Sequence, residues 1–324
     1  MDHSVLFRRF GMLLHATAGL TLVLVLVGAI VRSTGSGLGC GTAGGMHDWP
    51  LCHGQLIPPA TVEAIIEFSH RALAGAVSLC LLGAAGWAAA TPPLRARFGG
   101  PMAAALALLV LQIGLGALTV RLLSDGEINP AFVVAHLATA FTFFGTLVVI
   151  GSHAMKIARG PDTTEPDLPV FPRALVIFTT GAVFFQAITG GLVANLGASM
   201  ACPEFPACAG GVWVPTLDGA VGLQVWHRIG AVVVSALIVA LFFILRPHAS
   251  APRRLLAVTV GVLVLQFALG VTTVLLGLPL LARGAHHVVA YALFGSMVAI
   301  SYHVFSGRPR SEAAGLEGAP AASR

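Results

Sequence analysis

The sequence is poor in charge, since only 10% of its 324 residues are Asp, Glu, Lys or Arg and 56% are hydrophobic. Soluble domains carry about 25% charged residues. This shortage excludes an ordinary soluble protein and indicates an integral membrane protein, as does the mean hydropathy of +0.89. The basic pI near 9.3 does not indicate nucleic-acid binding, because the basic residues are spread among short loops, where they set membrane topology.

The first apolar stretch lacks the small-residue cleavage site that ends a signal peptide. It follows Arg8 and Arg9, and "GLGC" at 37–40 has Gly37 where a lipoprotein site has Leu. We therefore expect this stretch to remain as a membrane helix. Because about 20 residues cross a bilayer, the sequence predicts eight transmembrane helices, near residues 11–31, 63–90, 101–122, 130–153, 173–195, 220–245, 253–277 and 284–305.

The basic residues are distributed unequally between the two sides of these helices. Most of the 18 Lys and Arg residues precede helix 1, follow helix 8 or lie in the loops on that same side. The positive-inside rule then predicts a multi-pass plasma-membrane protein with both termini in the cytoplasm.

The order of motifs repeats along the chain. Outer-loop cysteines are followed by "EFSHRALAGAV" and later by "QVWHRIGAVVV", then by "LVLQIGLGALTV" and "LVLQFALGVTTV". The sequence thus predicts an all-α membrane fold of two pseudosymmetric four-helix bundles, related by an axis along the membrane normal. We expect an N-terminal bundle over 1–153, a cytoplasmic linker over 154–172, a C-terminal bundle over 173–305 and a disordered cytoplasmic tail over 306–324.

Five cysteines occur, and four of them lie in two outer loops. Cys40 and Cys52 share the first loop, Cys202 and Cys208 share the third, and Cys80 is alone in helix 2. Pairs on an oxidising face favour two loop disulfides. Metal binding and free thiols remain alternatives.

Four histidines occupy equivalent places in the repeat. His70 and His227 open helices 2 and 6, while His136 and His286 open helices 4 and 8. A single intramembrane histidine is often a packed core residue, but four at one depth favour a function. Two per bundle is the arrangement that holds a heme between two axial ligands, whereas zinc would lack ligands.

The halves differ three residues before the first histidine of each. Glu67 lies on the same helix face as His70, and its counterpart is Gln224. Glu67 is therefore a candidate catalytic residue, although an ion pair with Arg71 would also explain it. Arg71 and Arg228 are candidates to bind heme propionates, because guanidinium groups bind carboxylates in a bidentate manner.

The sequence resembles the heme A synthase family over roughly residues 11–305. The resemblance rests on "TGSGLGC", "WPLC", "EFSHR", the paired cysteines and the four histidines. It implies an oxidoreductase that oxidises a methyl group of heme O to a formyl group, with heme b as the cofactor between His227 and His286. His70 and His136 would hold the substrate heme, and Glu67 matches the functional glutamate of the family.

The resemblance also implies partners, and the sequence departs from the family pattern in one loop. Heme O synthase and cytochrome oxidase assembly factors are the expected partners, along with membrane lipid and no nucleic acid. The eleven residues between Cys40 and Cys52 exceed the family spacing; they include Gly44, Gly45, His47 and Asp48, which we expect to be flexible enough for a disulfide.

Two other functions are alternatives to heme A synthesis. One is a di-heme electron carrier of the cytochrome b type, which would not explain Glu67, and the other is a transporter with a duplicated bundle.

Overall fold

Eight long helices dominate the computed structural model, which describes residues 3–41, 51–121, 123–124, 127–160, 168–248 and 252–306. The helices are α1 (His3–Ser33), α2 (Val62–Ala90), α3 (Pro92–Arg121), α4 (Pro130–Arg159), α5 (Val170–Asn195), α6 (Gly219–Leu245), α7 (Arg253–Leu275) and α8 (Leu280–Phe305). A 3-10 turn at Ser36–Leu38 and a hairpin of two-residue strands, β1 (Leu123–Ser124) and β2 (Glu127–Ile128), complete the described elements.

All eight helices have the length and composition of membrane spans. They contain 23 to 31 residues, and their most apolar windows have mean hydropathies between 1.7 and 2.6. A helix in lipid satisfies its backbone groups internally, so such segments cross the bilayer as helices. The protein is therefore a multi-pass membrane protein with an all-helical fold.

Two helices begin well before their predicted apolar spans. α1 begins at His3 and α3 begins at Pro92. Proline is tolerated in a first helical turn, because the N–H that it lacks would have no partner there. The basic residues Arg95 and Arg97 consequently lie on a helix rather than in a loop.

The halves meet through four helices. α4 packs against α8 at the centre, α1 packs against both α4 and α8, and α5 packs against both α8 and α4. α2 and α3 flank one side of this group, and α6 and α7 flank the other. Each half therefore presents its first and fourth helices to the other half, as expected for a parallel repeat.

Aromatic residues and glycines interlock between α4 and α8. The ring centroids of Phe141 and Tyr291, which are equivalent in the repeat, lie 3.7 Å apart with nearly parallel planes. Gly145 faces Phe294, and the equivalent Gly295 faces Phe144. This reciprocal pattern is the one that a pseudo-twofold axis between the halves requires.

Some predicted segments lie outside the described residues. These are 42–50, most of the predicted tail (307–324) and the part of the predicted linker at 161–167. On either side of that part, α4 continues to Arg159 and α5 begins at Val170.

Candidate functional site

The four predicted histidines occupy matching positions on their helices. His70 and His227 each lie eight residues after the first residue of their helices, α2 and α6. His136 and His286 each lie six residues after the first residue of α4 and α8. Within each half, the two histidines are close enough to interact electrostatically. The structure therefore brings the four imidazoles together as two pairs, one in each half.

Each histidine ring lies against a glycine of the preceding helix. A methyl group built on Gly28 or Gly190 would lie 3.0 Å from the Cε1 atom of His70 or His227. Gly116 and Gly270 face His136 and His286 in the same way, at 3.4 and 3.0 Å. Since no side chain intervenes, each imidazole packs directly on a helix backbone, and the contact repeats four times in the fold.

A cavity of about 520 Å³ lies among the helices of the C-terminal half. Its volume is within the range of ligand-binding pockets, about 300–1,000 Å³. Its walls are mostly apolar, and α4 of the other half contributes Leu137 and Phe141. The ionisable residues on its walls are Arg228, Arg283, His286, His287 and His227.

The chemistry of this cavity fits a heme. His227 and His286 offer two imidazole nitrogens for iron, the apolar walls suit a porphyrin ring, and the arginines suit its carboxylates. His287 follows His286, but its Nδ1 atom lies 3.1 Å from the Arg283 carbonyl of its own helix. His286 is the one that faces Gly270, in the same relation that His136 has to Gly116.

Glu67 is buried at the start of α2, with only 4% of its surface exposed. Its Oε1 atom forms an ion pair with Arg71 at 2.5 Å, and its Oε2 atom accepts a hydrogen bond from the Cys40 N–H at 2.7 Å. Arg71 in turn donates to the Leu51 carbonyl at 2.5 Å. The carboxylate thus connects the histidine-bearing helix to the loop of the first cysteine pair, three residues before His70.

The C-terminal half has a neutral version of this arrangement. Gln224 is also buried, and its amide lies 3.5 Å from the Ser199 carbonyl. Arg228 donates to the carbonyls of Ala207 at 2.8 Å and Cys202 at 2.6 Å. Both arginines that we assigned to propionates therefore bind the loop backbone, a function that the sequence did not indicate.

Both predicted cysteine pairs form disulfides in the structure. The Cα atoms of Cys40 and Cys52 are 4.5 Å apart, and those of Cys202 and Cys208 are 4.2 Å apart. The sulfur atoms are therefore not available as metal ligands. Of the insertion in the first loop, Gly44, Gly45, His47 and Asp48 lie outside the described residues.

No group of three or more His, Cys, Asp or Glu residues forms a cluster that could hold a free metal ion within the described part of the chain. Each half instead offers two histidines on separate helices. Two protein ligands are too few for a structural zinc site but are the number that a heme iron takes.

Sequence reasoning missed three polar residues near the C-terminal pair. Gln186 and Thr189 contact the ring of His227, and Arg283 lines the cavity with a buried Nε atom that has no hydrogen-bond partner among the described residues. A comparison of the two halves of the sequence could have identified these residues, because each polar residue is replaced by an apolar one in the other half. The positions that match these three residues in the first half are Leu24, Val27 and Val133.

These features define a class of protein: a multi-pass helical membrane protein with a histidine pair in each half and one buried carboxylate beside the first pair. The family model described as cytochrome oxidase assembly protein matches residues 11–65 and 60–298. The chain therefore belongs to the cytochrome oxidase assembly protein family.

Several relatives of known name cover most of the chain. The heme A synthase of Symbiobacterium thermophilum is 34% identical over 239 residues, which are 71% of this chain and 74% of the relative. That of Halalkalibacterium halodurans is 30% identical over 282 residues, with 85% and 90% covered. That of Shouchella clausii is 29% identical over 299 residues, with 90% and 94% covered.

Proposed function

We propose that this protein is a heme A synthase, an oxidoreductase that converts a methyl group of heme O into the formyl group of heme A for terminal oxidase assembly. Family membership and the named relatives support the reaction. The observation that carries the assignment of the site is the buried carboxylate of Glu67, which accompanies one histidine pair and is replaced by Gln224 at the other.

The N-terminal half is the half that we assign to the substrate. His70 and His136 would hold the iron of heme O and so orient its ring within the bundle. Methyl oxidation removes electrons and protons from the carbon and adds oxygen to it, so a base near the methyl group would assist. Glu67 would accept a proton at a carboxylate oxygen or stabilise positive charge that develops at that carbon.

The C-terminal half is the half that we assign to a resident heme b cofactor. The cavity between His227 and His286 supports this assignment. A bound heme b would supply one-electron redox chemistry. The histidines would hold its iron, and the apolar walls would exclude water from its ring.

Arg71 and Arg228 remain our candidates for the propionates. In the structure, Arg228 uses its two terminal nitrogens on the carbonyls of Cys202 and Ala207. A guanidinium has five N–H donors, so these bonds are compatible with a propionate contact. Arg283 is a further candidate in this half, because its buried Nε atom lacks a hydrogen-bond partner within the described ranges.

We further propose the domain boundaries, orientation and partners that the sequence indicates. The halves would be residues 1–153 and 173–305, with both termini in the cytoplasm and the histidine pairs near the outer face of the plasma membrane. Heme O is apolar, so direct transfer within the membrane from a heme O synthase would avoid exposing it to water. Cytochrome oxidase assembly factors would receive the product.

The test is the heme content of the protein purified from cells that supply heme O. We expect wild type to contain heme b and heme A, and Glu67→Gln to contain heme b and unreacted heme O. Glu63→Gln is the matched control, because Glu63 is exposed one turn nearer the start of α2. It should resemble wild type.

Other results would contradict the proposal in distinct ways. Heme A in Glu67→Gln would remove the carboxylate from the reaction, and loss of all heme would make Glu67 structural. Heme b alone in every protein would favour the di-heme electron carrier.

A further inference from the structure

The first helices of the two halves differ where they contact a histidine. Gly28 of α1 and Gly190 of α5 are equivalent, and each packs against a histidine ring. The residue before the glycine is Val27 in α1 but Thr189 in α5. Four residues before the glycine, α1 has Leu24 and α5 has Gln186. The same contact is therefore apolar in one half and polar in the other.

In the C-terminal half, the ring of His227 has defined hydrogen-bond partners. The Thr189 hydroxyl donates to the Gln186 carbonyl at 2.8 Å and lies 3.1 Å from Nδ1 of His227. With its proton donated to that carbonyl, this hydroxyl is available to accept the Nδ1–H of His227. The Gln186 side-chain amide nitrogen donates to the His227 carbonyl at 2.7 Å and lies 3.0 Å from Nδ1. An amide nitrogen only donates, so Gln186 holds the backbone and ring of His227 in place, and the Thr189 hydroxyl is the group that can accept the Nδ1 proton. In the tautomer that donates Nδ1–H to Thr189, the Nε2 lone pair of His227 is free for iron.

In the N-terminal half, the corresponding ring atom has no such partner. Nδ1 of His70 is buried and has no hydrogen-bond partner among the described residues. The Leu24 carbonyl interacts with the ring, but it does not have hydrogen-bond geometry toward Nδ1. The side chains of Leu24 and Val27 are hydrocarbon and cannot accept a proton. The tautomer and orientation of His70 are therefore less constrained than those of His227.

The second histidine of each half differs in the same direction. Nδ1 of His286 lies 3.2 Å from the Gln266 carbonyl. The Gln112 carbonyl interacts with the His136 ring, but Nδ1 of His136 has no hydrogen bond within the described residues. Gln112 is equivalent to Gln266, and its side chain donates to the His136 carbonyl at 2.8 Å. Both histidines of the C-terminal half thus have an acceptor for the Nδ1 proton.

An acceptor for the second ring nitrogen has a known consequence for metal binding. It orients the imidazole and raises its basicity, and loss of such a partner costs about 10–100-fold in metal affinity. A synthase with one cofactor heme and one substrate heme must retain the first and release the second. The hydrogen-bonded environment of His227 suits a heme that is retained, and the apolar environment of His70 suits a heme that is released.

We infer that Thr189 and Gln186 are positioning residues that make His227 a permanent heme ligand, and that Leu24 and Val27 leave His70 as an exchangeable one. This inference rests on the proposed function. It extends that function by assigning retention and release to named residues of equivalent helices. Heme O would bind as bonds from His70 and His136 to its iron form, and heme A would leave once both bonds break, which the loosely held ring of His70 would favour.

The experiment exchanges the two environments in the purified protein that carries both hemes. The double variant Thr189→Val with Gln186→Leu gives α5 the residues of α1, and Leu24→Gln with Val27→Thr does the reverse. Transfer of each heme to excess apomyoglobin is followed by chromatography of heme b, heme O and heme A. The midpoint potential of heme b is measured on the same samples.

We expect wild type to release heme O and heme A faster than heme b. The α5 double variant should release heme b about 10–100-fold faster. Its heme b potential should rise, because a less basic ligand stabilises the ferric iron less. The α1 double variant should retain heme O and heme A longer. Thr189→Ser restores the hydroxyl and should behave like wild type.

A control separates positioning from general packing. Thr180→Val lies on the same helix and removes a hydrogen bond to Ser301 without touching His227. It should leave heme b release and potential unchanged. If the α5 double variant does not fold, the α1 double variant still tests the inference, because unchanged release of heme O and heme A from it would contradict the function assigned to Leu24 and Val27.

The inference is overturned if heme b release and potential do not change in the α5 double variant, or if wild type releases all hemes at one rate. Absence of heme A from wild type would instead contradict the proposed function. In that case, the heme b measurements on the α5 variant still decide the function of Thr189 and Gln186.

Discussion

Single residues determine how closely the helices approach the imidazoles. Gly190 and its three equivalents allow a histidine ring to contact the backbone of the preceding helix. Glycine in the middle of a helix costs roughly 0.5–1 kcal/mol relative to alanine. All four of these glycines lie within helices, and each of them faces a histidine ring.

Gly190→Ala should therefore lower heme b content. The new methyl group would lie 3.0 Å from Cε1 of His227, so the ring would have to move away from its position between α5 and α6. Gly181→Ala on the same helix is the control, because no atom of the described residues lies within 4 Å of its added methyl group. The measurement is heme b per polypeptide with the Soret spectrum, and equal content in the two variants would contradict the argument.

At the scale of elements, the two loops that carry the disulfides are bound to the histidine-bearing helices by polar side chains. The loop of the second disulfide is bound by Arg228 through two carbonyls. Farther out, Glu204 accepts hydrogen bonds from the N–H groups of Gly210 at 3.0 Å and Gly211 at 3.2 Å. Both glycines have positive φ angles, 58° and 78°, so their adjacent N–H groups point together at the carboxylate.

These two bonds lower the pKa of Glu204 below its ordinary value, even though the side chain is exposed to solvent. A carboxyl group with a lowered pKa stabilises the folded loop above its ordinary pKa, and this stabilisation is lost as the pH falls through the lowered value. We expect the amides of Gly210 and Gly211 to be protected at neutral pH and to lose protection on acidification.

Hydrogen exchange of the peptide that covers this loop, corrected for intrinsic rates, is the measurement. Glu204→Gln should remove the pH dependence of protection, because the amide does not titrate in this range. A pH dependence of the same size in Glu204→Gln would show that another group is responsible.

At the scale of the whole molecule, the interlock between α4 and α8 determines how the two histidine pairs lie relative to each other. The stacked pair of Phe141 and Tyr291 lies five residues after His136 and His286. On either side of it, a phenylalanine ring packs on a glycine of the other half. Because His136 lies on α4 and His286 lies on α8, a shift at this interface would move one histidine of each pair.

Gly295→Ala should destabilise the protein more than Gly145→Ala. Its added methyl group would lie 2.6 Å from Cε1 of Phe144, whereas that of Gly145→Ala would lie 3.1 Å from Cε1 of Phe294. Overpacking of this kind costs about 1–3 kcal/mol. Thermal unfolding midpoints in detergent measure the effect. Gly83→Ala is the control, because its methyl group has no neighbour within 4 Å in the described part of the chain. Equal midpoints for all three variants would contradict the interlock.

The sequence by itself determined the features that depend on local composition and on the repeat. Apolar runs longer than a bilayer is thick must form helices, so eight spans followed from hydropathy alone. The matched motifs of the two halves indicated a parallel repeat and favoured His286 over His287 as the equivalent of His136. The disulfides followed from two cysteines in each of two loops, which keeps the partners close along the chain.

Only the tertiary structure decided which side chains meet across helices. The partners of Arg71 and Arg228 include backbone carbonyls of distant loops, and a carbonyl has no signature in the sequence. The contacts of Thr189 and Gln186 with His227 depend on the rotation of α5 against α6, which packing sets. The sequence repeat contains the difference between the apolar residues 24 and 27 and the polar residues 186 and 189. Its relevance to the histidines became clear only when the fold placed those residues beside the histidine rings.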